Sequence, residues 1–241
     1  MSKLTSNVWS YWLKRADIVA EYASWSGDAA PDLGFHFHRT AQITCVRSGK
    51  RAFQIGGETH AVAAGQSILI PAMVPHRSLP LRSRDVTCLN VYLPLPPLGN
   101  RPIVVTAHAP AEILRDAAPV VTRRAIEAHF FGHGRLVQRD AGLPTNPLGR
   151  VANTTESIGA IAARAGLSRE GFTRKFIRDI GMAPHAYRTI HRLNEARHRL
   201  QQGDSIAGVA ADLDFSDQSH LGRLFRRSFG VTPHAYRESV R

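Results

Sequence analysis

One structural unit occurs twice near the C-terminal end of this chain. Residues 181–188, Gly-Met-Ala-Pro-His-Ala-Tyr-Arg, recur as Gly-Val-Thr-Pro-His-Ala-Tyr-Arg at residues 230–237. The similarity continues upstream, because residues 157–163 align with residues 205–211. A duplication of this length is a repeated supersecondary unit, and it dominates what the C-terminal part can fold into.

The apolar residues of this part follow a helical period. Phe172, Phe176 and Ile180 recur every four positions, which predicts one buried helix face. Pro184 suits the first turn of a long helix, and Gly203 suits its end. This part is therefore predicted to be all-helical.

Each copy is predicted to be a short helix, a tight turn and a longer helix, which is the helix-turn-helix arrangement. Ser168 and Ser216 are the predicted N-caps of the longer helices. In this motif the second helix enters the major groove of DNA. The second copy has one residue more between its cap and its Phe, residues 216–225 against 168–176, which predicts a different helical phase.

Residues 214–225, Asp-Phe-Ser-Asp-Gln-Ser-His-Leu-Gly-Arg-Leu-Phe, resemble the C-terminal domain of AraC-type transcription regulators. The resemblance extends over residues 154–238 and includes both copies. The family usually has Gly where this chain has Asp214, whereas Gly166 keeps the usual residue in the first copy. Asp tolerates a positive φ, so the second turn is expected to form.

The resemblance and the helical phase imply the same DNA-binding side chains. Arg suits guanine, Gln suits adenine and Glu suits cytosine, whereas arginines late in the helix suit phosphates. For each residue the alternative is a solvated helix face. The predicted set is Ser168, Arg169, Glu170, Thr173, Arg174, Arg178, Ser216, Gln218, Ser219, Gly222, Arg223, Arg226 and Arg227, of which Arg178, Arg226 and Arg227 are assigned to phosphates.

A helix over residues 184–202 would link the two units. Its length would be about 28 Å at 1.5 Å per residue. Successive major grooves on one face of DNA lie about 34 Å apart. The spacing therefore predicts that one chain contacts two DNA segments about 10 bp apart.

Residues 35–106 have the pattern of β structure. Short apolar runs at residues 42–46, 52–55, 67–70 and 86–93 alternate with Gly-containing turn signals. Many short strands at this spacing predict a sandwich or barrel.

His36-Phe37-His38, Gln42 and His76 resemble the two cupin motifs, in which histidines and a Glu bind a metal inside a small barrel. Gln42 stands where the family has Glu, and an amide binds a hard divalent ion more weakly. AraC-type regulators often keep this frame in a sensor domain without a metal. We therefore expect no metal and no cofactor, and an effector pocket at His36, His38, Gln42 and His76; if a metal binds, the three histidines are its ligands.

The predicted architecture is multi-domain α and β. It comprises an N-terminal cupin-like double-stranded β-helix barrel and a C-terminal all-α domain with two helix-turn-helix motifs. The ranges are 1–106 for the effector-sensing domain, 107–139 for a helical connector and dimerisation segment, 140–153 for the linker, and 154–241 for the DNA-binding domain.

The net charge and the cysteines constrain the predicted function less than the motifs do. The net charge of +12 suits a polyanionic partner, but residues 152–241 carry only 14 Lys and Arg against 9 Asp and Glu, so the charge is not concentrated there. Both cysteines, Cys45 and Cys88, are expected to be buried thiols. Nearby Arg39, Arg47 and Arg51 are expected at the surface; if some point inward, they favour an anionic or polar effector.

The predicted function is effector-controlled transcription regulation, by default activation. The predicted partners are double-stranded DNA, a small-molecule effector, RNA polymerase and a second copy of the chain. Two alternatives stay open: a metal-dependent cupin enzyme fused to a DNA-binding domain, and a constitutive DNA binder whose barrel only dimerises. The sequence contains no Gly-rich phosphate loop and no nucleophile elbow, so no enzyme activity is predicted.

The expected location is cytoplasmic. No apolar run reaches the length of a membrane span, and the first residues lack the apolar core of a signal peptide.

Overall fold

The structure is a computed structural model that describes residues 7–15, 19–81, 83, 85–95, 103–106, 108–111, 122–133, 135–137, 151–152, 154 and 156–241. The strands are β1 (Val8–Arg15), β2 (Val19–Gly27), β3 (Leu33–His36), β4 (Ala41–Ser48), β5 (Lys50–Ile55), β6 (Glu58–Ala63), β7 (Ser67–Ile70), β8 (His76–Leu79), β9 (Val86–Leu93), β10 (Ile103–Thr106) and β11 (Arg135–Val137). The helices are α1 (Arg123–His133), α2 (Ile158–Arg164), α3 (Arg169–Ile180), α4 (Pro184–Gln201), α5 (Ile206–Asp212), α6 (Gln218–Phe229) and α7 (Pro233–Ser239).

The strands form two antiparallel sheets that share one apolar interior. The larger sheet has the order β1-β2-β9-β4-β7-β10-β11, and the smaller has the order β3-β8-β5-β6. Phe53 and Ile55 of the smaller sheet pack with Val46, Ile68 and Val86 of the larger. The predicted cupin-like barrel is confirmed, and β7 and β9 have the predicted bounds.

Strands β1 and β2 were not predicted. Trp9, Tyr11 and Leu13 of β1 pack against the helical domain, whereas Trp12 stacks on Tyr22 at 5.5 Å on the opposite face. Because both faces are covered by aromatic and apolar residues, β1 lacks the apolar–polar alternation that marks a half-exposed strand.

The predicted helical connector contains both a helix and a strand. Helix α1 buries Ile126 and Phe130 against the barrel. Residues 135–137 form β11, which pairs with β10 and extends the larger sheet. Residues 112–121 and 138–150, with most of the predicted linker, lie outside the described residues.

The helical domain confirms most predicted helix ends. Pro184 opens α4, which runs for 18 residues, and Gly203 follows it with φ 96°. Gly181 and Gly230 end α3 and α6 in the left-handed conformation that favours glycine. Among the described residues, no helix combines the length and apolarity that a membrane crossing requires.

The two domains meet over a continuous apolar cluster. Phe37 of the barrel stacks on Tyr187 of α4, with ring centroids 4.7 Å apart. Tyr11 Oη donates to the backbone oxygen of Phe229 at 2.6 Å. Gly230 lies directly against Trp9, because a Cβ there would collide with the indole nitrogen. This packing fixes the helical domain against β1, β3 and β9.

Candidate nucleic-acid interface and effector site

The predicted reading residues lie on exposed faces of α3 and α6. Arg174 and Arg223 are both exposed. Phe172 and Phe176 of α3, and Phe225 and Phe229 of α6, are buried instead, as predicted. Each helix therefore presents polar and basic side chains outward while its phenylalanines anchor it.

Helices α3 and α6 have the same helical phase when they are aligned at their N-caps. The prediction that their phases differ is wrong. Ser168 Oγ accepts from Gly171 N at 3.0 Å and caps α3. The cap of α6 is Asp217, not Ser216, because Asp217 Oδ1 accepts from His220 N at 2.6 Å. The extra residue therefore lies in the turn before the cap, and both helices run for 12 residues from cap to C-cap glycine.

The second turn forms as expected despite its Asp. Asp214 adopts φ 55°, close to the φ 68° of Gly166 in the first turn. Arg192 of α4 supports the second turn, since its Nη1 donates to the backbone oxygen of Asp214 at 2.9 Å. The same guanidinium lies 5.1 Å from the ring centroid of Phe215.

The three predicted phosphate contacts differ in position. Arg178 and Arg226 are exposed on their helices. Arg227 is also exposed, but it lies against the barrel, where a Cβ on Gly34 would sit 3.3 Å from its Nε. Arg227 therefore lies at the junction of the two domains, beside Gly34 of the barrel.

The predicted effector-pocket residues form a buried cluster. His36, His38, Gln42 and His76 are between 1% and 4% exposed. The ring centroids of His36 and His76 are 4.4 Å apart, and those of His36 and His38 are 4.9 Å apart. Phe229 of α6 closes the cluster from the helical side, with its ring 5.9 Å from that of His38.

Burial keeps the three imidazoles neutral. It lowers the pKa of His36 and of His38 well below the usual value, and the neighbouring histidines lower both further. Burial also lowers the pKa of His76 to about 4. Neutral imidazoles are the form that binds a metal.

The cupin fold implies a metal, and the cluster fits one in part. Ligand atoms of the three histidines lie within 4.8 Å of one another. Nδ1 of His36 and Nδ1 of His76 lie 2.7 and 2.9 Å from backbone oxygens, so both carry the protons and leave Nε2 as the atom that could bind a metal. Nε2 of His76 lies 3.1 Å from Gln42 Oε1. His38 differs, because its Nδ1 accepts from Arg197 and its Nε2 then carries the proton. A divalent transition ion would thus be held by His36 and His76 beside Gln42, with His38 joining only if its proton moved to Nδ1.

Arg197 of α4 links this cluster to the helical domain. Its guanidinium is ion-paired with Glu21 of β2, and Nη1 lies 3.0 Å from His38 Nδ1. Four aromatic rings surround it at 4.6 to 5.5 Å, those of Tyr11, Tyr92, Phe229 and Tyr236. Burial opposes the charge, but Glu21 and the tyrosines raise the pKa of Arg197 above its usual value. Glu21 also accepts from Gln201 Nε2 at 2.7 Å.

Glu21, Asn194 and Arg197 are not among the site residues predicted from the sequence. Asn194 Nδ2 donates to the backbone oxygen of Phe37 at 2.8 Å, so it too joins the domains. A signal was present, because Asn194 and Arg197 fall on the apolar stripe of α4 with Ile190 and Leu193. Polar residues on a buried stripe indicate a specific partner.

The barrel arginines do not all lie at the surface. The surface expectation is wrong for Arg51, which is 1% exposed and donates to Cys88 Sγ and Ser78 Oγ. Arg39 lies at the surface as expected, where it is exposed and forms an ion pair with Glu195 at 2.6 Å. Cys45 and Cys88 are buried free thiols, as predicted.

Two separate stretches of the chain match known protein families. Residues 161–239 match the family described as Helix-turn-helix domain, and residues 27–92 match the family described as Cupin domain. The HTH-type transcriptional regulator MtrA of Neisseria gonorrhoeae is 32% identical over 83 residues, which are 34% of this chain and 28% of that protein. The HTH-type transcriptional activator RhaS of Pectobacterium carotovorum subsp. carotovorum is 39% identical over 91 residues, 36% of this chain and 33% of that protein. The chain thus spans about a third of the length of these relatives.

The fold also matches a solved structure along most of its length. ToxT from Vibrio cholerae superposes with a TM-score of 0.60 over 92% of this chain and 98% of that chain. The sequences are 10% identical, so this likeness concerns the fold alone. The chain therefore combines a region that matches the Cupin domain family with a C-terminal region that matches the Helix-turn-helix domain family.

Proposed function

We propose that this chain is a sequence-specific DNA-binding transcription regulator controlled by a small molecule. The observation that carries the proposal is the pair of capped recognition helices, α3 and α6, with exposed basic faces in the same phase. A helix of 18 residues connects the two units. At 1.5 Å per residue it is about 27 Å long, which is comparable to the spacing of successive major grooves.

Base contacts are assigned to the first two turns of both helices. Because α3 and α6 share one phase, Arg169, Glu170, Thr173 and Arg174 correspond to Gln218, Ser219, Gly222 and Arg223. Arg174 and Arg223 are matched, whereas Glu170 and Ser219 differ in chemistry. The two half-sites are therefore proposed to share a guanine contact and to differ elsewhere.

Effector control is proposed to act through the domain interface. Solved structures of ToxT include one with a bound unsaturated fatty acid, which supports a ligand-binding role for this architecture. An effector shifts the equilibrium only if it binds two states with different affinity. Arg197, which contacts both His38 and Glu21, offers a contact that an effector can strengthen or break.

Activation, contact with RNA polymerase and dimerisation are the finer parts of the proposal. Activation is supported by the relatives that are named activators. The segment 107–139 is the proposed dimer contact, and within it α1 leaves Arg124 and Ala128 exposed. A cytoplasmic location stays a prediction.

Footprinting of the full chain on sites found by genome-wide mapping tests the proposal. Protection of two segments about 10 bp apart on one face of the DNA is expected. Arg174→Ala should expose one segment and Arg223→Ala the other. Protection confined to a single turn of DNA, or the same footprint in both variants, would refute the proposal that one chain contacts two DNA segments.

The enzyme alternative is tested separately by metal analysis of the purified protein. A stoichiometric ion that is lost in His36→Ala and His76→Ala variants would support a metal-dependent cupin. A protein that binds DNA with its histidine cluster free of metal would support the sensor role.

A further inference from the structure

Helix α3 has an exposed isoleucine, Ile177, on the face that carries the proposed base contacts. Among the described residues, the exposed large apolar side chains are Val8, Val19, Leu167 and Ile177. Ile177 is 45% exposed with the barrel in place, so the domain interface does not cover it. Single exposed apolar residues are ordinary on a protein surface, so only the position of Ile177 can indicate a role.

Ile177 continues the stripe formed by Glu170, Thr173 and Arg174. The four residues have the spacing i, i+3, i+4 and i+7, which places them on one face of the helix. At about 100° per residue, Ile177 projects between Glu170 and Thr173, and it lies one turn further along the helix axis than Thr173. The recognition helix of homeodomains reads the major groove with four residues at this same spacing. Ile177 is therefore placed to face base edges from the third turn of α3.

The second unit has a different side chain at the same position. When the helices are aligned at their caps, Ser168 and Asp217, Ile177 corresponds to Arg226 of α6. Arg226 is exposed and is assigned to a phosphate. The isoleucine side chain has neither a charge nor a hydrogen-bond donor with which to bind a phosphate. This position therefore makes a different kind of contact in the two units.

The charged neighbours of Ile177 are directed to the other side of α3. Lys175 Nζ lies 2.7 Å from Asp179 Oδ2, and Arg178 Nε lies 3.2 Å from Asp179 Oδ1. At about 100° per residue, Asp179 lies about 160° from Ile177 around the helix axis. The surface next to Ile177 thus suits an apolar group of DNA. In the major groove, the apolar group that a base pair presents is the C5-methyl group of thymine.

We propose that Ile177 is a further specificity-determining residue, which packs on the C5-methyl group of a thymine in the DNA segment bound by α3. This thymine lies beside the base pairs assigned to Thr173 and Arg174. The role of Ile177 rests on the proposed function, because it requires α3 to lie in the major groove. Burial of one methyl group is worth about fourfold in affinity.

Deoxyuridine substitution tests this contact, because deoxyuridine pairs with adenine as thymidine does but lacks the methyl group. The α3 segment of the operator is the one that loses footprint protection in Arg174→Ala. Each thymine of that segment is replaced in turn, and fluorescence anisotropy measures binding of the full chain. At one thymine the replacement should weaken binding of the unsubstituted chain by about fourfold. Ile177→Ala should bind both of these duplexes equally.

Three variants serve as controls. Ile177→Val keeps a branched apolar side chain and should keep the methyl effect. Arg226→Ala should also keep it while weakening binding to all duplexes alike. Ile177→Arg copies the second unit, so it should lose the methyl effect and steepen the salt dependence by about one phosphate contact. The C-cap bond of α3 from Gly181 goes to the backbone oxygen of Ile177, so substitutions there leave the cap in place.

Three results would overturn the proposal: an α3 segment without thymine, no deoxyuridine replacement that weakens binding, or a methyl effect of the same size in Ile177→Ala. Each of these results leaves specific operator binding intact and therefore removes the Ile177 contact alone. Absence of specific operator binding by the unsubstituted chain would remove the proposed function, and the Ile177 contact with it.

Discussion

The guanidinium of Arg197 in the DNA-binding domain forms a buried ion pair with the carboxylate of Glu21 in the barrel. The two side chains are only 7% and 9% exposed. The positions of Glu21 and Arg197 in the sequence do not indicate this pairing. The ion pair lies at the centre of an interface that is otherwise mostly aromatic. Removing one member of such a pair leaves a buried charge uncompensated.

Glu21→Gln should therefore lower the free energy of unfolding by about 3 kcal/mol. The matched control is Glu195→Gln, which breaks the exposed pair with Arg39 and should cost less than about 1 kcal/mol. Urea denaturation of the full chain measures both. Equal costs for the two variants would show that Arg197 does not depend on Glu21.

Arg174→Ala and Arg223→Ala should each weaken operator binding by about 1 to 3 kcal/mol and relax the preference for one base pair. Arg241→Ala removes the same charge from the C-terminal end and is the control for net charge. Fluorescence anisotropy on single-base operator variants measures affinity and preference together. A uniform loss across all operator variants would reassign the arginine to a phosphate.

The turn at Asp214 should favour glycine over alanine. Because φ there is 55°, Asp214→Ala should be about 1 kcal/mol less stable than Asp214→Gly. Ala211 on helix α5 is the control, because a helical position should favour alanine over glycine. Ala211→Gly should lower the free energy of unfolding by about 1 kcal/mol. Thermal or urea unfolding separates the two cases, and an alanine as stable as glycine at position 214 would contradict the left-handed turn.

Stability should fall in mild acid because the histidine cluster is buried in its neutral form. The pKa of His76 is lowered to about 4, whereas an unfolded His titrates near 6.5. The unfolded chain therefore binds more protons between these values, so stability is complete above about pH 6.5 and declines as the pH falls toward about 4. Each such histidine contributes a slope of up to about 1.4 kcal/mol per pH unit.

Urea unfolding in the presence of EDTA between pH 7.5 and pH 5 measures this slope. His76→Gln should flatten it, and His234→Gln, at an exposed position, should leave it unchanged. A slope that His76→Gln does not alter would locate the acid sensitivity elsewhere.

The two domain types and most of the helical domain could be predicted from residue spacing alone. The duplicated segment, the Phe172–Phe176–Ile180 spacing and the helix-end residues are local signals, because capping and helical period depend on neighbours within a few positions. Such local signals did not identify the N-cap of α6. Ser216 and Asp217 are both residue types that favour this position, and the sequence does not rank them.

The contacts between the two domains could not be predicted from residue spacing and are visible only in the folded chain. Glu21 and Arg197, and Trp9 and Gly230, are far apart in the chain, and each has an ordinary surface or core explanation when considered alone. Their pairing depends on a shared interface whose energy comes from contacts distant in sequence. The same holds for the cavity between the domains, which is lined by Arg77 of the barrel and by Arg227 of α6.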